Sequence, residues 1–468
     1  LYADQLSQPG IYQISNSLDQ AVADPLKTKK AINSFYGLAQ LSYQEKIFLD
    51  FTGRNDWSST LPYGNNSFFY PSISTSFLIH EITSLPTVFS FAKFRLSWAQ
   101  VGNDTRPYQT DKYYDRIYSN SFTNTSILFN ANLKPEITSS IETGIDLRMF
   151  KNRLSIDIAY YNNNSRNQIL AIPLDPVSGY SNAMVNAGLI NSKGMELALS
   201  GKLIAKNKFK WNSTLTWSRN RSYVKELAPG ITNQVIYSHG SNVSIEARVG
   251  GRMGDMYSRG FQRSPDGQII YTSAGLPATL DPEMKKRGNA FADWKAGLMN
   301  EFTIGKVRLS VLLDGQKGGS IYSQTNHKNN TLGKTKVTLP GRDGGIIGQG
   351  VVLQSDGTYL PNTVKVAASS YYDNYYTIGN GETNIFDASY IKLREVRIEF
   401  NLPNSLLKKI GMKSASLALY GRDLFNFTKF PGFDPEGGNL DNGTLTPGVE
   451  LAQFPSTRTI GTNLTLKF

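Results

Sequence analysis

The sequence has no cysteine and only three histidines among 468 residues. That excludes disulfide frameworks, thiolate metal sites and cysteine nucleophiles. No apolar run approaches the ~18 residues that a transmembrane helix requires. Charged residues make up only 18%, and the polar mass is Asn, Ser and Thr instead. Glycine (41), tyrosine (25) and phenylalanine (24) are plentiful. Disordered chains are poor in aromatics, so this chain folds, and its balance suits an all-β protein. The net charge of +12 raises the question of nucleic acid. Nucleic-acid binders gather Lys and Arg on one face. Here the basic residues are scattered, and the one compact group is Lys285-Lys286-Arg287, so no nucleic-acid partner is expected.

The dominant pattern is alternation with period two, which sends successive side chains to opposite faces of a sheet. Ile460, Thr462, Leu464, Leu466 and Phe468 share one face, while Thr459, Gly461, Asn463, Thr465 and Lys467 share the other. The same pattern recurs at 141–149, 154–161, 209–217 and 307–314, and more weakly near 34–45, 46–53, 68–80, 90–101, 190–201, 291–303, 386–402 and 412–424. In 386–402 the apolar parity shifts from Ile391 and Leu393 to Val396, Ile398 and Phe400, as an inserted residue, a β-bulge, would cause. Thirteen strands result, with 245–263 either a fourteenth or a loop folded into the interior.

Short connections such as 150–153, 204–208 and 304–306 alternate with the long stretches 54–67, 102–136, 161–189, 219–290, 315–385 and 425–455. A soluble sandwich seldom carries such loops. An outer-membrane barrel does so by rule, with short turns inside and long loops outside. Aromatics near strand ends (Trp57, Phe68, Phe69, Tyr70, Trp98, Tyr160, Tyr161, Trp211 and Trp217) match interfacial girdles. The fold expected is therefore all-β, a transmembrane antiparallel β-barrel in the outer membrane, with outer-membrane lipid against its apolar face. Scattered positive charge suits a surface that meets anionic lipopolysaccharide.

Catalytic chemistry has little to build on. His80, His239 and His327 share no ligand spacing. Gly333-Lys334-Thr335 lacks the earlier glycine of a phosphate loop. Asp441-Asn442-Gly443 and Asp266-Gly267 read as turns. No catalytic residue, metal or cofactor is assigned. Strand carboxylates such as Glu142, Asp146, Asp157 and Glu399 are expected to face a polar lumen and to pair with Arg148, Arg394 or Arg397.

Six ordered stretches resemble the SusC/RagA family of TonB-linked outer-membrane proteins. They are Phe69-Tyr70-Pro71-Ser72 with His80-Glu81; Phe94 to Asn103; Asn132-Leu133-Lys134-Pro135-Glu136 with Glu142-Thr143-Gly144-Ile145-Asp146; Asn186-Ala187-Gly188 with Lys193-Gly194-Met195-Glu196-Leu197; Asp387 to Arg394; and Phe433-Asp434-Pro435-Glu436. Ala99 and Lys193 depart from the family pattern, which usually has Gly and Asn there. The resemblance implies a nutrient importer with a barrel of about 22 strands, of which residues 1–468 would be the C-terminal thirteen or fourteen. The plug, the TonB box and the first strands would lie outside this chain, which opens Leu1-Tyr2-Ala3-Asp4 with neither an initiator Met nor a leader-like stretch. The remaining barrel and plug segment, a SusD-like surface lipoprotein and the TonB–ExbB–ExbD complex are the implied partners. The substrate would be an oligosaccharide or an oligopeptide.

Ligand contact needs aromatic faces and amide-rich polar groups converging on a cavity. Two stretches have that composition: Arg54, Asn55, Asp56 and Trp57, and Tyr371, Tyr372, Asp373, Asn374, Tyr375 and Tyr376. The bland alternatives are a girdle with a salt-bridged loop base for the first and loop packing for the second. A passive pore or surface adhesin without TonB coupling, and a soluble β-sandwich, are the competing readings of the whole.

Overall fold

The computed structural model describes all residues except 1–5, 12, 19–27, 119–120, 241–242, 278–280, 404, 406, 408–410 and 442–443. One large sheet dominates, in which thirteen strands follow each other in chain order and every neighbouring pair is antiparallel. They are β1 (Ile32–Tyr43), β2 (Ile47–Ser58), β3 (Ser67–Leu78), β4 (Phe89–Asn103), β5 (Glu136–Met149), β6 (Leu154–Pro173), β7 (Asn182–Ala205), β8 (Phe209–Glu226), β9 (Trp294–Ile304), β10 (Val307–Lys317), β11 (Tyr390–Asn401), β12 (Ser414–Thr428) and β13 (Thr459–Lys467). A fourteenth, short strand, Ile127–Leu128, lies parallel against β7.

The register puts the two side-chain sets on opposite faces throughout. Across β8 to β13 one face carries Trp217, Ala296, Leu298, Leu313, Ile398, Leu419 and Ile460. Those side chains are not roofed over: Ile398, Leu419 and Ile460 remain exposed. The other face carries Lys295, Asp314, Lys392, Arg397, Glu399, Asn463 and Lys467. A soluble sandwich would bury the oily face against a second sheet. An exposed oily face with charges behind it is the arrangement of a membrane-spanning wall.

Tight turns join the strands at one end. Gln44 and Glu45 hold φ of 50° and 53° between β1 and β2, the left-handed pair whose twist suits a two-stranded hairpin. The connections at the other end are 59–66, 104–135, 174–181, 227–293, 318–389 and 429–458. The expected loop 161–189 is mostly strand: β6 and β7 reach 20 and 24 residues. Only ~10 residues are needed to cross a bilayer. In β6 the run from Asn162 to Gln168 is polar on both faces, so the hydrophobic pattern fades there while the backbone ladder to β7 continues. The region 245–263 is not a wall strand. Val243–Arg248 and Asp255–Ser258 belong to a separate four-stranded sheet with Asn233–His239 and Lys285–Asn289.

That sheet is part of a folded layer built from three connections. Its core holds Val243, Ile245 and Met256 from 227–293, Tyr322 from 318–389 and Val449 from 429–458. Ile378, Ile385 and Leu451 pack around it. A parallel pairing of Ser320–Ser323 with Val449–Glu450 stitches two of the connections together. The layer therefore has a buried core of its own. Met256→Ala should open a void there costing about 2–4 kcal/mol. Limited proteolysis should then cut 227–293 faster, while the wall keeps its heat-modifiable mobility on gels.

Candidate functional site: the polar face and the loop rim

The polar face carries an ion ladder at mid-height. Arg95 on β4 reaches across β5 to Asp157 on β6 with two hydrogen bonds of 2.8 Å, and its Nε lies 3.8 Å from Glu142. It passes over Gly144, where a Cβ would sit 2.5 Å from the guanidinium. The glycine of Glu142-Thr143-Gly144 is thus the gap through which Arg95 lies. In the same way a side chain at Gly194 would strike the Tyr161 ring. Arg148 pairs with Asp146 at 3.7 Å and Arg397 with Glu399 at 2.7 Å, two of the pairings read from the sequence.

At the rim the recognised motifs meet one another. Asn186 exchanges two hydrogen bonds of 2.7 Å with the backbone of Lys134. Asn103 donates to Glu136, whose other oxygen accepts Ile169 N–H. Leu133 is fully buried against Leu61 and Phe68. Across the sheet, Asp387 accepts the N–H and Oγ of Ser389. Lys392, only 2% exposed, donates to Asp434 at 2.7 Å and Glu436 at 2.6 Å. Arg394 binds Glu436, Asp314 and Asp423 at 2.8–3.0 Å. The register slips at Arg394, between Leu393 and Glu395, so the parity shift in the sequence is a real bulge. The bulge aims Arg394 at three carboxylates from β10, β12 and the last long connection. Asp434-Pro435-Glu436 is thereby clamped to the wall.

The first sequence-predicted site is split by strand alternation. Arg54 and Asp56 share the polar face and satisfy each other at 2.8 Å, Tyr70 also donating to Asp56. Asn55 and Trp57 point to the opposite face, where Asn55 donates to Ser67. The second stretch lies on the helix Ala368–Tyr375 and its end. Tyr371 stacks on Tyr375 at 5.5 Å and meets Tyr271 through their hydroxyls; Tyr372 is buried and donates to Pro340 O; the Tyr376 carbonyl faces His327 Nδ1 at 2.7 Å. Burial raises the Tyr371, Tyr375 and Tyr376 hydroxyls above their ordinary pKa and lowers that of His327. The four tyrosines pack the layer, and Asp373 is the exposed member of the stretch.

Between the polar face and the layer lies a cavity of about 430 Å³. Ser218, Asn220, Lys295 and Gln316 line it from the wall, Arg252 and Phe291 from the layer. Its residues are far apart in sequence and few lie in a motif (Ala388, Pro435 and Glu436), so sequence reading missed it.

The model for the TonB-dependent receptor-like β-barrel matches residues 3–238. The chain belongs to that family. Curated relatives include TonB-dependent receptor P3 of Formosa agariphila, 23% identical over 93% of this chain and 45% of its own, and TonB-dependent receptor SusC of Bacteroides thetaiotaomicron, 22% identical over 94% and 44%. The RagAB peptide transporter structure superposes with a TM-score of 0.73 at 17% identity, over 98% of this chain and 50% of that one. The resemblance to SusC/RagA proteins thus holds along nearly all of this barrel chain, which spans about half the length of the relatives it matches. A barrel of this family resides in the outer membrane, with the apolar face towards lipid, the polar face towards the lumen and the long connections outside.

Burial raises the Glu436 carboxyl, but the hydrogen bonds from Lys392 and Arg394 outweigh it and hold the group below its ordinary value. The clamp is therefore complete above the usual carboxylate range and is lost only as pH falls through that depressed value. Protection from hydrogen exchange in 429–458, referenced to the intrinsic rate at each pH, should hold at neutral pH and be lost only as pH falls below the ordinary glutamate range. Lys392→Met should lower it at neutral pH, by a local destabilisation on the order of 2–3 kcal/mol, discounted because the Glu436 side chain is 41% exposed.

Proposed function

We propose that this chain is the C-terminal wall and extracellular layer of an active outer-membrane importer for nutrient oligomers. The observation that carries the reading is the folded layer held over a charged lumen, with a cavity of mixed lining between the two. About 430 Å³ falls within the range of small-ligand sites and suits one or two units of a longer chain. Amides, hydroxyls, a phenyl ring and both signs of charge line it, a set that serves oligosaccharide and oligopeptide alike. The remaining barrel strands and the plug come from a further segment or chain, because the free edges of β1 and β13 require pairing in lipid. A SusD-like lipoprotein covers the layer as a lid, and TonB–ExbB–ExbD supplies the energy through the plug.

Ligand contact by Arg54, Asp56 and the 371–376 stretch is part of this proposal, the latter through Asp373, Asn374 and the tyrosine edges left open by packing. Uptake of a labelled oligomer by cells carrying the full-length protein should collapse when TonB is removed; uptake that continues would indicate a passive pore. Asn220→Trp, which fills the cavity from the wall, should cut uptake at least about tenfold at equal surface abundance. Unchanged uptake in Asp373→Ala/Asn374→Ala would remove the helix from the ligand path.

A further inference from the structure

The outward face of the wall is not uniformly filled. On β9 and β10, Ala296 and Gly315 face each other directly. A Cβ at Gly315 would lie 2.7 Å from the Tyr390 carbonyl oxygen, so the position stays small. Large side chains rise around this pair: Leu215 and Trp294 on one side, Ile391 and Phe427 on the other. The result is a trough of about 600 Å³ on the face that meets hydrocarbon. It is floored by the paired strands β8 to β12, with Asp387, Ser389 and Lys429 of the adjoining connections at one end.

Two lysines stand at its outer end. Lys317 is the register partner of Trp294, and Lys429 follows the last residue of β12. Both are exposed, and among the described residues neither enters an ion pair. Asp387 lies near both, leaving the group with one excess positive charge, and its carboxylate is already taken up by Ser389. Trp294 marks the headgroup level, since indoles favour the membrane–water boundary. An oily slot that ends at that level in two ammonium groups and one carboxylate, a net positive charge, is complementary to one kind of molecule: an acyl chain below and an anionic phosphate above.

We propose that this trough seats a phosphorylated glycolipid of the outer leaflet, one acyl chain along Ala296 and Gly315 and a phosphate on Lys317 and Lys429. The site is separate from the luminal cavity and does not depend on what the importer carries. The glycolipid would hold β10 and β12 together at the rim, on the outer side of the same strands that the Arg394 clamp joins from within.

The test uses the full-length protein in detergent, with a purified phosphorylated lipid A and zwitterionic phosphatidylethanolamine as probes in native mass spectrometry. One lipid A should survive delipidation and resist exchange by phosphatidylethanolamine. Ala296→Leu, which fills the slot, and Lys317→Glu/Lys429→Glu, which reverses the charge, should each weaken retention at least about tenfold. Heat-modifiability confirms that each variant is folded. Retention unchanged in either variant, displacement by phosphatidylethanolamine at equal concentration, or a second protein copy in place of the lipid would each overturn the proposal.

Discussion

Hydrocarbon offers no hydrogen bonds, so every peptide group of the wall must be paired within the sheet. That single requirement fixes the unbroken antiparallel ladder from β1 to β13. Once the ladder exists, alternation assigns side chains to faces without further choice. The lipid-facing set needs only to be oily, and a mixture of Leu, Ile, Phe and Trp serves. The opposite set faces water and is free to hold charges, which is why Arg95, Asp157 and Glu142 can meet in the middle of a membrane protein. Their side chains are partly solvated, so the pairs contribute modestly to stability and chiefly order the lumen wall.

The family motifs acquire a physical meaning in this frame. Most of them are joints. Gly144 clears the path of Arg95; Asn186 grips the backbone of Lys134; Asp434 and Glu436 lock onto Lys392 and Arg394. Each joint ties a long connection to the wall, or one strand to the next but one. The cavity between wall and layer, by contrast, is lined mostly by residues outside those motifs.

Strand number, strand order and the direction of the loops were legible because the period-two pattern is strong wherever one face is oily. Even the bulge at Arg394 showed as a change of parity. Legibility failed where both faces are polar. In 162–168, Asn, Ser, Arg and Gln fill both faces, and the strand continued unseen behind what reads as loop. The folded layer was invisible for another reason. Val243, Ile245 and Ala247 alternate with polar neighbours, but Met256, Tyr322 and Val449, spread over two hundred positions, carry no periodicity that marks them as the same core. The tyrosines of 371–376 stand out in the sequence as a cluster, but composition cannot say whether an aromatic faces a cavity or its own neighbours.

The make-up of that extracellular nucleus binds it to the wall. Its pieces are delivered by three separate hairpins, and Val449 arrives only with the connection that leads into β13. Val449 lies in the connection that precedes β13, so the cover over Tyr322 and Met256 is complete only with that connection in place, and the exterior draws its core from parts of the chain that the wall beneath holds together.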